Sequence, residues 1–399
     1  MTMMCITGKN VRRMKRKGIA LDKVIVFVAM LMAFAACTQD ELSVRRVPLT
    51  LMPYTPAPVT VETRALPSGY VPFTELHPQP QSPQSQIGIY LVDVTGGNKV
   101  DPMGTFTYVD QPGGKTGWVS TIGVIPGRTY NVFGFHPAVG VANNSSLDYS
   151  TPGTPVLHLP TLSAVTELDV CVAVGVAKGE VTTAGAPPVT TITPIENSNI
   201  TLGKFDYLAT AEGNYIYLLV DHLFSCVEFN FKIDATYQEL RDIVVRKVEV
   251  SSNAAETVDI TVTLHPNATA SNPIINPSTS VDDVVYTPHA GASAIASIYD
   301  KSGATDTGDT LKVAKALTIP GYFLPPSQSG GTSFTMTATY DVLDKTGAVV
   351  REGATATNTF TIASSMERGE KHVINVLVKP TYLYQLSDND LNNPELTFN

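Results

Sequence analysis

Seven histidines and four cysteines are the residues of this chain best suited to chemistry, because imidazole and thiol act as bases, nucleophiles and metal ligands near neutral pH. Their spacing supports none of those uses. His-Glu-x-x-His, which sets two imidazoles on one helical face for zinc, is absent, and so is the Gly-x-Ser-x-Gly turn that exposes a nucleophilic serine. Gly114-Lys115-Thr116 matches the end of a phosphate-binding loop, but Val109 stands where the first glycine belongs and no helix signal follows. Asp388-Asn-Asp-Leu-Asn392 begins like a Ca2+ loop, with oxygen ligands at alternate positions. Asn393 replaces its glycine and Asn399 its bidentate glutamate, so a solvated tail is expected. His222 precedes an apolar strand and reads as a packed, hydrogen-bonded histidine rather than a base. His77, His136, His158 and His265 flank or adjoin prolines, which predicts surface loops. Trp118, read as part of a Gly-rich loop, could stack on a sugar but reads as a core contact. No catalytic residue, metal site or cofactor is expected, and the chain is not read as an enzyme.

The thiols divide into two pairs. Cys5 and Cys37 belong to the N-terminal leader, while Cys171 and Cys226 sit in the strand-like runs Asp169–Val174 and Phe224–Phe229. A disulfide between the latter two and a pair of buried thiols are both open readings, since sequence does not show which way their Cβ atoms face. No metal-type cysteine spacing occurs.

The elements that would position these residues are strands. Glycine (29) and proline (28) are plentiful and only 16% of residues are charged, a balance that favours strands and turns over helices. Strand signals fall at Ile87–Val92, Thr105–Tyr108, Tyr130–Phe135, Leu168–Val176, Tyr215–Val220 and Cys226–Ile233. They continue at Ile243–Ser251, Val258–Leu264, Leu317–Phe323, Phe334–Val342, Thr357–Ile362 and His372–Val378. Phe334–Val342 alternates strictly, as a half-exposed antiparallel strand should. Only Tyr237–Ile243 hints at helix. Short strands between Gly, Pro and Asn turns predict an all-β protein of β-sandwiches, and the residues after 36 are too many for one sandwich. Two domains are expected, residues 65–215 and 216–380, with the boundary near Gly213–Asp221 and a tail at 381–399.

Ahead of them lies a leader. Arg12, Arg13, Lys15, Arg16 and Lys17 precede the apolar run Val24–Ala36, too short for a permanent membrane span. Residues 1–36 therefore read as a signal peptide, for which Met14 would be a more conventional start. Ending on Ala35-Ala36-Cys37, it resembles a bacterial lipoprotein signal, in which the cysteine is lipidated and becomes the new N-terminus, though Phe34 departs from the usual leucine. Thr38-Gln-Asp-Glu41 resembles the surface-export tag of Bacteroidota lipoproteins. Residues 1–36 hold seven basic residues and one acidic, which leaves 20 Lys+Arg against 35 Asp+Glu, a charge of −15, in the rest. Such a surface repels phosphate backbones, so nucleic acid is not an expected partner.

Several pieces together resemble the fimbrillins of Bacteroidota. Tyr130-Asn-Val-Phe-Gly-Phe-His-Pro137 resembles their aromatic strand ending in proline, and Phe205-Asp-Tyr-Leu-Ala-Thr210 their Asp-apolar-apolar-Ala segment. Asp221–Phe231 is similar to the His-apolar-apolar-small strand that opens their second domain. Gly369–Val378 resembles a late strand, with Glu370 interposed before Lys371 and His372 in place of tyrosine.

The resemblance implies a structural or adhesive pilus subunit of two tandem transthyretin-like Greek-key sandwiches, exported as a lipoprotein to the outer membrane and cell surface. It implies that an arginine-specific protease removes an N-terminal strand within residues 37–64. Arg64-Ala65 is the expected scissile bond, with Arg46-Val47 second. Val47, Leu49 and Leu51 alternate in the strand that would mask a sheet edge until then. The donor strand of the resembled family is C-terminal, and here Tyr382, Tyr384 and Leu386 alternate as an inserted strand needs. Implied partners are other pilus subunits, the outer membrane through lipid on Cys37, and a host or bacterial surface receptor. The alternative is a surface glycan-binding lipoprotein, against which a single tryptophan argues. Asp309-Thr310-Leu311 also fits the short O-glycosylation pattern of that phylum.

Overall fold

Alternation decides which strands have one wet face and which have none. In the computed structural model, Val227, Phe229, Phe231 and Ile233 are buried while Glu228, Asn230 and Lys232 between them are not, the pattern of a strand with one solvated face. Residues 87–93 are buried without interruption, so that strand lies in a sheet covered on both sides. The structure describes residues 46–52, 86–111, 115–120, 122–139, 144–185, 189–194, 204–211, 213–265, 283–303, 305–326, 332–362, 368–369, 371–380 and 394–398. Cys37, Arg64, Ala65, His77, Tyr382, Tyr384, Leu386 and the 388–392 acidic tail lie outside the described residues.

The first strands are β1 (Val47–Pro48), β2 (Thr50–Met52), β3 (Gln86–Asp93), β4 (Lys99–Val100), β5 (Gly104–Gln111), β6 (Lys115–Ser120), β7 (Gly123–Val124) and β8 (Thr129–His136). Next come β9 (Ser146–Asp148), β10 (Val156–Ser163), β11 (Cys171–Ala184), β12 (Val189–Pro194), β13 (Asp206–Leu208), β14 (Tyr215–His222) and β15 (Ser225–Ile233). After the helix α1 (Ala235–Leu240) come β16 (Asp242–Ser252), β17 (Thr257–Thr263), β18 (Val284–His289), β19 (Ala296–Asp300) and β20 (Asp309–Thr310). The last are β21 (Leu317–Leu324), β22 (Thr332–Leu343), β23 (Val349–Ile362), β24 (Lys371–Pro380) and β25 (Pro394–Phe398).

A ten-stranded sheet runs β2-β14-β11-β8-β3-β5-β6, with β12, β13 and β4 paired onto β11, β8 and β3. One face packs Tyr90, Phe133 and Val172 against Leu157, Val258 and Ile260 of a second, four-stranded sheet, β18-β17-β10-β9. The opposite face gathers Ile89, Phe106, Trp118, Val132, Ile216 and Leu218 into its own apolar cluster. Two residues separate β14 from β15, which opens another sheet, β21-β15-β24-β25, facing β19-β16-β22-β23. Phe229, Phe231, Met336, Tyr340 and Val376 fill the space between these two. The all-β sandwich expectation is met.

Three local features have direct causes in the sequence. Gly88 is paired with Phe135, whose ring lies where a Cβ on residue 88 would stand, so only glycine lets the aromatic pack flat across the strand. Asp234 caps α1 by accepting from the Tyr237 amide at 3.0 Å, which starts the helix two residues ahead of the expected Tyr237–Ile243. Phe360 links Phe229 (5.8 Å), Phe334 (5.3 Å) and Phe398 (4.8 Å) across both sheets of the second sandwich. Among the described residues no helix is long and apolar enough to cross a membrane.

Candidate functional site

Val47–Met52 bridges the short strand β7 and the β14 edge of the ten-stranded sheet. β1 pairs antiparallel with β7, Val47 opposite Val124, and the Leu49 amide donates to the Ile122 carbonyl at 2.9 Å. β2 then crosses to the other edge and pairs in parallel with β14, Leu51 opposite Ile216 and Met52 opposite Tyr217. This short segment thus joins the β6–β7 side to the β14 side and seals the apolar cluster behind it. Leu49 and Leu51 are each 2% exposed and belong to that cluster, with Val47 packed at its margin. The alternation read from sequence is the alternation that is buried. Each fully buried leucine stabilises the seat by about 1.5–3 kcal/mol relative to exposure.

Asn214 holds the β14 side of this bridge in place. Its carbonyl accepts the Thr50 amide at 2.8 Å. Its side chain accepts from the Tyr207 hydroxyl (2.6 Å) and the Thr210 amide (2.9 Å) and donates to the Thr210 carbonyl (2.8 Å). The residue is 4% exposed, so nearly every polar atom it carries is matched inside the protein. Burial pushes the Tyr207 hydroxyl pKa well above its ordinary value and keeps it a neutral donor. Sequence reasoning passed over Asn214; its place in a Gly-Asn turn ahead of an apolar strand is the only signal it offers.

The two arginine bonds differ with respect to this strand. Arg46 is exposed and directly precedes β1, so the Arg46–Val47 bond lies on the N-terminal side of the buried segment. Cutting there leaves the strand joined to the rest of the chain through Met52; a cut C-terminal to Met52 is needed to separate it.

At the other end of the chain, β25 forms the edge of its sheet and pairs antiparallel with β24, Leu396 opposite Val378 and Phe398 opposite Val376. Leu396 is 1% exposed, and its carbonyl accepts the Asn358 side-chain amide of β23 at 2.9 Å. The described end of the tail is therefore a strand seated on its own sandwich.

The residues suited to chemistry are mostly built into strands. Trp118 is 6% exposed, lies in β6 rather than a loop, and packs edge-on against Tyr108 at 5.3 Å. It offers no platform to a sugar. Lys115 and Thr116 start the same strand, so no helix follows the phosphate-loop match. His158 is exposed, as expected, but stands within the strand β10 and not in a loop. His136 is not: it ends β8 at 1% exposure, with its Nδ1 against the Asp169 carbonyl. The neighbouring proline reports on backbone shape and carries no information about burial. Cys171 and Cys226 are thiols and not a disulfide. His222 is buried and hydrogen-bonded to Asp169, as a packed histidine should be. Cys171, His222 and Asp169 have the residue types of a nucleophile–base–orienter set, but Nδ1 faces both the thiol and the carboxylate. A relay needs one imidazole nitrogen for each, so this is not one.

No family model matches the sequence, and no curated protein matches it. Solved structures do. A candidate cell adhesion protein of Bacteroides fragilis matches with 11% identity over 89% of this chain and 97% of its own, at a TM-score of 0.37. A fimbrial protein of Bacteroides vulgatus matches with 12% identity over 88% and 98%, at 0.34. The fimbrial anchor protein Mfa2 of Porphyromonas gingivalis matches with 9% identity over 80% and 90%, at 0.23. These structural neighbours are fimbrial and cell-adhesion proteins of Bacteroides and Porphyromonas.

Proposed function

We propose that this chain is a structural or adhesive subunit of a cell-surface pilus, exported as a lipoprotein through Cys37 and assembled by strand exchange. The observation that carries the reading is the seating of Leu49 and Leu51, both buried in a gap lined by β14 on one side and β7 on the other. A strand held at the end of the sheet order by few main-chain bonds and two apolar side chains is replaceable by another of the same pattern. Cutting at Arg64–Ala65 frees it, and a C-terminal segment of another copy, with Tyr382, Tyr384 and Leu386 alternating, fills the vacated edge. Lipid on Cys37 holds the precursor at the outer membrane until then.

The test is the N-terminus and mass of the protein shaved from intact cells, with and without an arginine-specific protease. A start at Ala65 together with laddering on unboiled gels is the expected result. A lipidated Cys37 terminus and a strict monomer in both conditions would overturn strand exchange.

A further inference from the structure

Three residues that share no sequence motif meet at one end of the ten-stranded sheet. Cys171 opens β11 and stands in register with His136 of β8 on one side and His222 of β14 on the other. Asp169, two residues earlier, turns its carboxylate onto His222: Oδ1 lies 2.9 Å and Oδ2 2.8 Å from Nδ1. The Cys171 thiol is 3.7 Å from the same nitrogen. The three ligand atoms all lie within 4.8 Å of one another, and exposures of 4%, 0% and 3% put Asp169, Cys171 and His222 beyond bulk water.

We infer that Asp169, Cys171 and His222 form a binding site for a thiophilic divalent transition metal, with Zn2+ as the physiological class. Ligand atoms around a tetrahedral zinc, with bonds of about 2.0–2.3 Å, are separated by roughly 3.3–3.7 Å. The thiol–imidazole separation already has that value, and the carboxylate needs to withdraw by only a few tenths of an ångström. Asp169 Oδ2 is buried and lies 2.8 Å from Nδ1, so carboxylate and imidazole already converge on the point where a shared cation would sit. One oxygen, one sulfur and one nitrogen is a donor set that selects zinc over calcium or magnesium, and a carboxylate plus a thiolate neutralise a divalent charge. The Asp169 main-chain carbonyl is engaged by His136, which fixes the carboxylate-bearing residue from behind. Three protein ligands leave the fourth position to a water or a backbone oxygen.

Binding releases the Cys171 thiol proton to solvent, and a second proton where His222 starts as the imidazolium; from the neutral ring the Nδ1 proton moves to Nε2, so affinity rises with pH. The charged and titratable groups facing the site are Asp169 beside β11, His136 at the end of β8, Asp221 on β14, and Arg368, which bonds Asp221 at 2.6 Å. Because the site is closed, it loads as the sheet forms.

The experiment is to refold the full chain with Co2+ and record its absorption, then displace cobalt with Zn2+. A thiolate-to-cobalt charge-transfer band with tetrahedral visible bands, lost in Cys171→Ser and kept in Cys226→Ser, is expected. Zinc K-edge absorption of the wild-type protein, independent of any variant's folding, is expected to show one sulfur among nitrogen and oxygen neighbours. Absence of the band after refolding, its survival in Cys171→Ser, or a sulfur-free zinc shell would overturn the site.

Discussion

Leu51 stands directly across from Ile216 in a parallel pairing, and both side chains are within 2% of complete burial in one apolar cluster. Parallel neighbours cannot be joined by a tight turn, so β2 reaches β14 from far away in the sequence. The strand that completes this sheet is thus contributed as an addition to a framework whose other strands already pair with one another.

Leu51→Ala is expected to cost about 2–5 kcal/mol, the range for removing a buried leucine from a packed core. Urea unfolding followed by fluorescence of Trp118, which lies in the same cluster, measures it. A cost below ~0.5 kcal/mol would mean that the gap does not hold the strand in solution.

Asn214→Ala removes three side-chain hydrogen bonds, each worth about 0.5–1.5 kcal/mol, and frees the turn that presents the carbonyl to Thr50. Amide exchange at residues 49–52 is expected to quicken more than exchange in β15 or β22. Uniform acceleration everywhere would assign Asn214 to global stability alone.

Asn358→Ala and Phe360→Ala separate two ways of holding β25. The first deletes the bond to the Leu396 carbonyl and is expected to cost about 1 kcal/mol. The second empties the centre of an aromatic chain that includes Phe398 and is expected to cost about 3–5 kcal/mol. Both are read by protection of the 394–398 amides alongside thermal unfolding.

His222 gives the metal-free protein a pH dependence of known sign. Burial lowers its pKa, but the hydrogen bond and charge of Asp169, helped by Asp221 and opposed by Arg368, leave it above the ordinary 6.5. Protons therefore bind the folded state more tightly than the unfolded one. The stabilisation is complete below 6.5 and is lost as the pH rises through the raised value. Melting temperature in chelator is expected to fall across that window in the wild type and to fall less in His222→Gln.

Much of the fold was legible because period-two patterns survive in single sequences. Leu49 and Leu51 are buried for the reason their spacing suggests, and Val227, Phe229 and Phe231 likewise mark the inner face of β15. What alternation cannot convey is which edge a strand meets. Asn214 holds the β14 edge only because Tyr207 and Thr210 fold back upon it. The Asp169, Cys171 and His222 cluster was invisible for the same reason: Cys171 meets His222 through the pairing of β11 with β14, and no fixed sequence interval encodes a sheet register. His136 was misplaced because proline signals a change of chain direction, which happens inside this protein as well as on its surface.

The direction in which β1 and β2 lie also decides how the seat responds to force. Their bonds to Ile122 and Asn214 reach sideways to opposite edges, across the line of the strand. Tension along that line loads both sets in shear, so they share the load and fail together, whereas tension across it peels one edge first. Any strand adopting the same seat inherits that anisotropy, tough in traction along its axis and weak to sideways prying.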